Sequence, residues 1–369
     1  MTQNYLKSVS FNVDGLDEAI ELCYEKGWTD GLPVVPPTES SVLRFIEASG
    51  RKPNEELGGY SPRKLTATVE KVAINSVMAG CLPEYFPTVL AIIEAMLDES
   101  KGQLVDVSTG GVASGFIVNG PIRNELRMNY NGNVLGPGNR ANSTIGRAVR
   151  LAMMNVLGSV PGAGNVNEVG RDILDRSTIG QPGKYTCYHI PENEEAFPSL
   201  NPLHVELGFQ KEQNVVTVFP VSGHVQVSVH PEDSSEKIVG TIAHYMAHSG
   251  RMSQNLPGLA NANIGSWVVI ISPEKAEFFV RDGWSKADIR QALFELTSRS
   301  VSWLKKNGWL ATNFIGERGE AIEAGDDDKY VSITTKPEDI FPVIAGGPAG
   351  GWIHFLMPYL GGARSKVIT

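Results

Sequence analysis

Residues 341–363 contain no Asp, Glu, Lys or Arg. A run of that length without charge belongs in a protein core or in a bilayer. It is interrupted by Gly346, Gly347, Pro348, Gly350, Gly351 and Pro358, which argues against one continuous helix. A buried strand, a glycine turn and a second buried strand is the reading that fits. The chain is therefore expected to fold around a sheet. Other β-type runs stand at 104–107, 115–119, 215–219, 225–229, 267–271, 331–334 and 341–345. Segments with helical periodicity stand between them at 15–26, 40–48, 66–78, 83–98, 144–157, 235–247 and 287–304. Strands alternating with helices predict an α/β protein with mixed, partly parallel sheets. The stretch 158–214 holds few periodic segments, so two subdomains are expected, 1–157 and 215–369, joined by a loop-rich connection at 158–214.

Composition narrows the function. With 41% hydrophobic and 20% charged residues the chain can bury a core. A net charge of −9 argues against nucleic acid as a partner, while leaving room for a locally basic anion site. Three cysteines, Cys23, Cys81 and Cys187, fit a reducing cytoplasm rather than a disulfide scaffold. The first residues lack the apolar core of a signal peptide. No membrane association is expected, and the chain is expected to act as a homo-oligomer.

The most specific motif is Met78-Ala-Gly-Cys-Leu-Pro-Glu-Tyr-Phe-Pro87. Gly80 suits the end of one helix and Pro83 the start of the next. Cys81 then lies just ahead of a helix N-terminus, where the dipole is expected to lower a thiol pKa. A buried structural cysteine is the competing reading. Glu84 and Tyr85 follow within a turn.

A second feature is the glycine-rich loop 131–147, which runs into a helix near Ser143. Its backbone N–H groups at Gly136, Gly138, Asn142, Ser143 and Thr144 can face an anion. Arg140 and Arg147 can clamp a carboxylate or phosphate. The loop matches neither nucleotide-binding fingerprint, and a well-capped turn is the alternative. Asn119 ends a predicted strand, where α/β folds place ligand crevices; a simple Asn-Gly-Pro turn is the other possibility. His189 can act as a base oriented by Glu192, or the segment is an acidic surface loop. Gly346 and Gly347 can let backbone approach a ligand, or serve only as a turn.

Gly27-Trp28, Gly283-Trp284 and Gly308-Trp309 share helix-ending chemistry. His244 and His248 share a helix face, but Tyr245 stands where a zinc protease needs Glu. His204, Glu206 and His224 add candidate ligands without a recognisable spacing. No metal ligands are assigned, and no cofactor is named.

Asp30-Gly-Leu-Pro-Val-Val-Pro-Pro-Thr38, Ala79-Gly-Cys-Leu-Pro-Glu-Tyr-Phe-Pro87, the Gly-Pro-Gly-x-Arg-Ala-Asn-x-Thr-Ile-Gly-Arg loop, Glu192-Asn-Glu-Glu195 and Gly283-Trp-Ser-Lys-Ala-Asp288 together resemble a bacterial protein family. That family is associated with small partners carrying a selenocysteine-or-cysteine Gly-Ser-Cys motif. The resemblance spans nearly the whole chain. It implies thiol chemistry at Cys81 and a small thiol or selenol redox subunit as partner, and supplies no substrate. Gly-Trp-Ile-His354 departs from the polar run such a family leads one to expect.

The expected function is an enzyme using Cys81 as nucleophile or redox thiol, assisted by Glu84, Tyr85 and His189. Its small anionic substrate would be held by Asn119, Arg140 and the glycine loops. The alternatives are a metal-dependent lyase or hydrolase with ligands among Cys81, His189, His204 and His224, and a non-catalytic subunit of a two-component redox system.

Overall fold

The computed structural model describes residues 6–60, 63–98, 104, 108–162, 164–249, 265–306, 314–315, 321–322 and 327–369. Its main strands are β1 (Glu56–Tyr60), β2 (Leu65–Thr68), β3 (Ala113–Asn119), β4 (Tyr188–Pro191), β5 (Val215–Ser228), β6 (Trp267–Ile271), β7 (Ile340–Ile344), β8 (Trp352–Pro358) and β9 (Arg364–Val367). The longer helices are α1 (Leu16–Glu25), α2 (Glu39–Ser49), α3 (Val69–Met78), α4 (Phe86–Met96), α5 (Arg140–Asn155), α6 (Ser235–Ser249), α7 (Pro273–Arg281) and α8 (Lys286–Thr297). The chain is an α/β protein with a mixed sheet. The expected strand at 104–107, apart from Leu104, and the Gly308-Trp309 pair lie outside the described residues.

β3 to β9 form one seven-stranded sheet in the order β7-β6-β8-β5-β3-β4, with β9 on β5. β3–β4 and β6–β7 are parallel pairs; β8 runs antiparallel to both β5 and β6, and β5 antiparallel to β3 and β9. The uncharged stretch becomes β7, a glycine turn and β8, as its composition requires. The division expected at 158–214 does not divide the sheet. β5 is paired with β3 from one half and with β8 from the other, because its length lets one strand serve both.

β5 also merges the two strands expected at 215–219 and 225–229. Pro220-Val-Ser-Gly223 has turn composition, yet both sides find partners, with a register shift opposite Pro358. The helix expected at 66–78 starts later. Thr66 and Thr68 prefer extended backbone and join β2, paired with β1. Thr68 then caps α3 through the Lys71 N–H. The helix expected to 304 stops at Thr297, since Ser298 is extended; its start is a Ser285–Asp288 capping box.

The two faces of the sheet bury different things. On one, Phe116, Val118, Val216 and Val218 pack against α2 to α5, and Val227, Trp267, Val269, Ile340 and Phe355 pack against α6 to α8. The other face closes on itself: Ile117, Ile190, Phe219, Val268, Ile270, Val343 and Leu356 share one cluster. Gly115 is part of that closure, because a Cβ there would lie 2.3 Å from the Phe219 ring opposite it. The outer strands approach where β4 ends. The Asn193 N–H donates to the Ile344 carbonyl at 2.7 Å.

Candidate functional site

The break between α3 and α4 is built as the motif predicts. Gly80 has φ +85°, and the Cys81 N–H donates to the Ser76 carbonyl at 3.1 Å, closing the end of α3. A short turn of helix, Pro83–Tyr85, then leads into α4. The state of the thiol differs from expectation. Cys81 is buried, and burial pushes its pKa up to about 12 despite the nearby charge of Arg140. Its Sγ donates to the Thr144 carbonyl at 3.2 Å, an acceptor that needs the thiol proton in place. Desolvation outweighs the partial charge of the helix N-terminus one turn away, so the thiol is not acidified.

The glycine-rich loop comes to the same place. Asn139 caps α5 by accepting from the Asn142 N–H at 3.0 Å, so the helix starts at Arg140 rather than near Ser143. Arg140 Nε donates to the Gly80 carbonyl at 2.9 Å, directly before Cys81. Its terminal nitrogens, and the guanidinium of Arg127, have no hydrogen-bond or ion-pair partner among the described residues. Both cations act on Tyr85. Its hydroxyl is raised in pKa by burial, with Arg140 opposing, Glu84 and Cys81 adding, and Arg127 opposing. Glu84 is exposed beside it.

Arg127 gives no sequence signal, yet it holds φ +51°, a left-handed conformation that costs a side chain about 1–2 kcal/mol. The Asn139 amide donating to the Arg127 carbonyl at 2.9 Å helps to fix it there. Arg127 lines a polar concavity of about 550 Å3 with Asn129, Tyr130, Asn131, Gly138 and Asn139. Among the described residues no carboxylate lines it. Several of the asparagines fold the loop: Asn129 Nδ2 donates to the Gly132 carbonyl and Asn133 Nδ2 to that of Pro137. Gly136 leaves room for the Asn133 side chain, and Gly138 supplies φ +120°. Asn142 is likewise structural, bonded to both backbone groups of Asn129. Ser143 and Thr144 lie in the first turn of α5, Thr144 Oγ1 donating to the Arg140 carbonyl.

Other expected site residues go elsewhere. Arg147 is consumed by Asp30, through two contacts of 2.8 and 2.9 Å, and by the Pro33 carbonyl, so it cannot clamp a substrate. His189 is buried and pulled down to about 4 by that burial. Its Nδ1 meets the Asn142 carbonyl at 3.2 Å, and its Nε2 has no partner among the described residues. Cys81 contacts the carbonyl two residues further along the same helix, on another side of it, so the two are not a nucleophile–base pair. Glu192 does not orient His189 either. Three residues on along an extended segment, it points to the other face and receives Lys286 Nζ at 2.5 Å, Asn119 Nδ2 at 2.7 Å and the Leu203 N–H at 2.8 Å. Burial alone would raise the Glu192 pKa; the Lys286 charge and these hydrogen bonds hold it below the usual carboxylate range.

Asn119 is fully buried, bonded also to Glu194 at 3.0 Å, with its Oδ1 unpartnered among the described residues. Arg123, another residue without a sequence signal, ties Gly120, Glu194 and Glu195 together. The two glycine loops do meet. Gly346, at φ +110°, donates to the Tyr130 carbonyl at 2.9 Å, and Gly347 packs against Gly132.

Of the ligands considered for a metal enzyme, His204 Nε2 is engaged with the Lys211 carbonyl and His224 Nδ1 with Tyr188. Among the described residues no three His, Cys, Asp or Glu side chains are grouped as a metal site. A second cavity of about 790 Å3 lies under the N-terminal segment, with Phe11, Leu22, Cys23, Trp28 and Val42 in its walls; it is apolar and does not suit an anion. No helix among the described residues is long and apolar enough to cross a membrane. No protein-family model matches the chain, and no curated protein or solved structure is similar enough to bear on its function.

Proposed function

We propose that the protein is an enzyme that holds a small anionic substrate between Arg127 and Arg140 and works on it with Tyr85 and Cys81. One observation carries the reading: Arg140, whose Nε is bonded to the Gly80 carbonyl, and Arg127 both have terminal side-chain nitrogens unpartnered among the described residues, and both bear electrostatically on Tyr85, which is buried close to the buried thiol of Cys81. Guanidinium groups suit carboxylate and phosphate oxygens, and the acid-free concavity next to Arg127 has room for a small polar molecule. The thiol takes part as a proton-bearing group. With a pKa of about 12, only about one part in a hundred thousand is thiolate at neutral pH. A nucleophilic step would need that proton removed within the complex.

The test is titration with sulfate, phosphate and a panel of small carboxylates, by thermal shift and calorimetry. Arg127→Gly is expected to weaken binding roughly tenfold or more, since a charge-assisted hydrogen bond contributes about 1.5–3 kcal/mol. The same change should leave melting unchanged or raise it, because glycine accepts φ +51° freely. Cys81→Ser should keep the bound anion and lose turnover of it. Equal anion affinity in wild type and Arg127→Gly, or full turnover by Cys81→Ser, would overturn the assignment.

A further inference from the structure

The apolar cavity is built by the N-terminal segment and helices α1, α2 and α3, and the anion site does not use it. Its floor is hydrocarbon and sulfur: Leu22 and Cys23 come from α1, Val42 from α2, and Ile74 and Met78 from α3. Its roof is residues 6–13, a strap that is neither helix nor strand. Polar and aromatic contacts hold that strap in place. The buried Glu70 carboxylate, in the first turn of α3, accepts the Lys7 and Ser8 N–H groups at 3.0 and 2.7 Å. Further along, the Phe11 ring meets Trp28 edge-on with centroids 5.7 Å apart, and Lys26 Nζ lies 5.5 Å over Phe11. Anchored at these points, the strap spans the depression instead of packing down into it.

The walls decide what can fill the space. Their inner polar side chains are spent on the fold. Asn155 Nδ2 donates to Asn75 Oδ1 at 2.9 Å and to the Trp28 carbonyl at 2.8 Å, and Asn75 Nδ2 donates to the Lys71 carbonyl at 2.9 Å. Thr38 caps α2. An occupant therefore meets no buried polar group that needs it. Among the described residues no Lys, Arg or His lines the cavity, and Glu39, its one charged lining residue, is exposed at the start of α2. An anion would lose its hydration there without gaining a counter-charge. At the mouth Val9, Phe11 and Val13 stay exposed, Val9 to 80%. Apolar surface thus continues from the cavity out to solvent, and such exposed apolar surface marks interaction sites and ligand grooves.

We infer that this cavity is a binding site for an uncharged small molecule with a mainly hydrocarbon body, seated under the N-terminal strap. Its volume of about 790 Å3 falls within the range of small-molecule sites, about 300–1,000 Å3. Binding is driven by taking apolar surface out of water on two sides. The ligand body covers Leu22, Val42, Ile74 and Met78, and the exposed strap side chains close over the ligand. Met78 ends α3 just before the Gly80–Cys81 break. The cavity and the anion site therefore share one helix while suiting opposite chemistries, so they take different molecules.

The experiment titrates the full chain with N-phenylnaphthylamine, an uncharged probe that fluoresces in apolar surroundings. Saturable binding of one probe per chain is expected. Decanol should displace the probe at least roughly tenfold more effectively than decanoate, because a carboxylate is desolvated there without a partner. Sulfate, a ligand for the anion site, should not displace it. Ala19, on the half-buried wall that α1 contributes, is the position to fill. Ala19→Trp should weaken the probe at least roughly tenfold, since the indole takes volume that close packing cannot share. Should that variant fail to fold, irradiation of the wild type with a diazirine-bearing decanol should still label residues within 19–42 or 74–78, mapped by mass spectrometry. Absence of saturable binding, equal displacement by decanoate and decanol, displacement by sulfate, unchanged affinity in folded Ala19→Trp, or labelling confined to other residues would each overturn the proposal.

Discussion

Cys81 and His189 are both titratable groups whose state is set by burial rather than by neighbours. For His189 this has a measurable consequence. Its folded pKa, about 4, lies below the ordinary 6.5, so the folded state resists protonation. Its contribution to stability is present above the ordinary value and is lost as pH falls through that value toward about 4. The loss is on the order of 3 kcal/mol, from the size of the shift. His189→Asn retains a donor for the Asn142 carbonyl but does not titrate. Urea unfolding at a series of pH values should show a shallower acid decline for His189→Asn than for wild type. Parallel declines would mean that the ring is not buried as described. The sequence shows which residues carry a thiol or an imidazole. It does not show how much water surrounds them, and that decided both groups here.

Glycines within helices show the same dependence on context at the level of an element. Gly146 lies inside α5, where a Cβ would sit 1.7 Å from the Thr186 carbonyl oxygen. Gly240 lies inside α6 with no atom of the described residues within 4 Å of that position. Helix propensity favours alanine at both by about 1 kcal/mol. Gly240→Ala should therefore stabilise the protein by about that amount. Gly146→Ala should destabilise it by several kcal/mol, because backbone must move to admit the methyl group. Thermal melting of the two variants checks both signs. Stabilisation by Gly146→Ala would show that the 186–187 segment does not rest on α5. The α5 periodicity was legible in the sequence. Its cap was not, because Asn139 had to be recognised as the residue that accepts from the Asn142 N–H. The contrast between β5 and the two shorter strands expected there has a similar origin. Pro220 and Gly223 carry turn chemistry, and only their partners in the sheet reveal that the strand continues.

Across the molecule, the Lys286–Glu192 pair links the end of β4 to the start of α8, and Glu192 also receives the Ile344 N–H at 3.4 Å. Both side chains are 1% exposed. Removing one partner strands a buried charge, which costs about 3–5 kcal/mol. Lys286→Met is expected to lower stability by that order. Adding Glu192→Gln should recover part of it, as the uncompensated charge is removed. Because one sheet spans residues 113 to 367, unfolding is expected as one cooperative transition, and the variants should shift it whole. Two separated transitions in calorimetry, only one of them moved by Lys286→Met, would show that the two halves fold independently.

Periodicity and side-chain chemistry, both local, determined much of this protein. The α/β class, the two uncharged strands β7 and β8 with the glycine turn between them, the Gly80 and Gly283 helix ends and the Cys81 break all follow from residues close in sequence. Tertiary structure decided the rest. It joined Arg140 to Gly80, gave Arg147 to Asp30, and brought the Tyr188 hydroxyl from β4 to His224 on β5. It also sealed Cys81 away from water. Those outcomes depend on chain segments far apart in sequence and on the dielectric they create together, and neither is written in the spacing of residues along the chain.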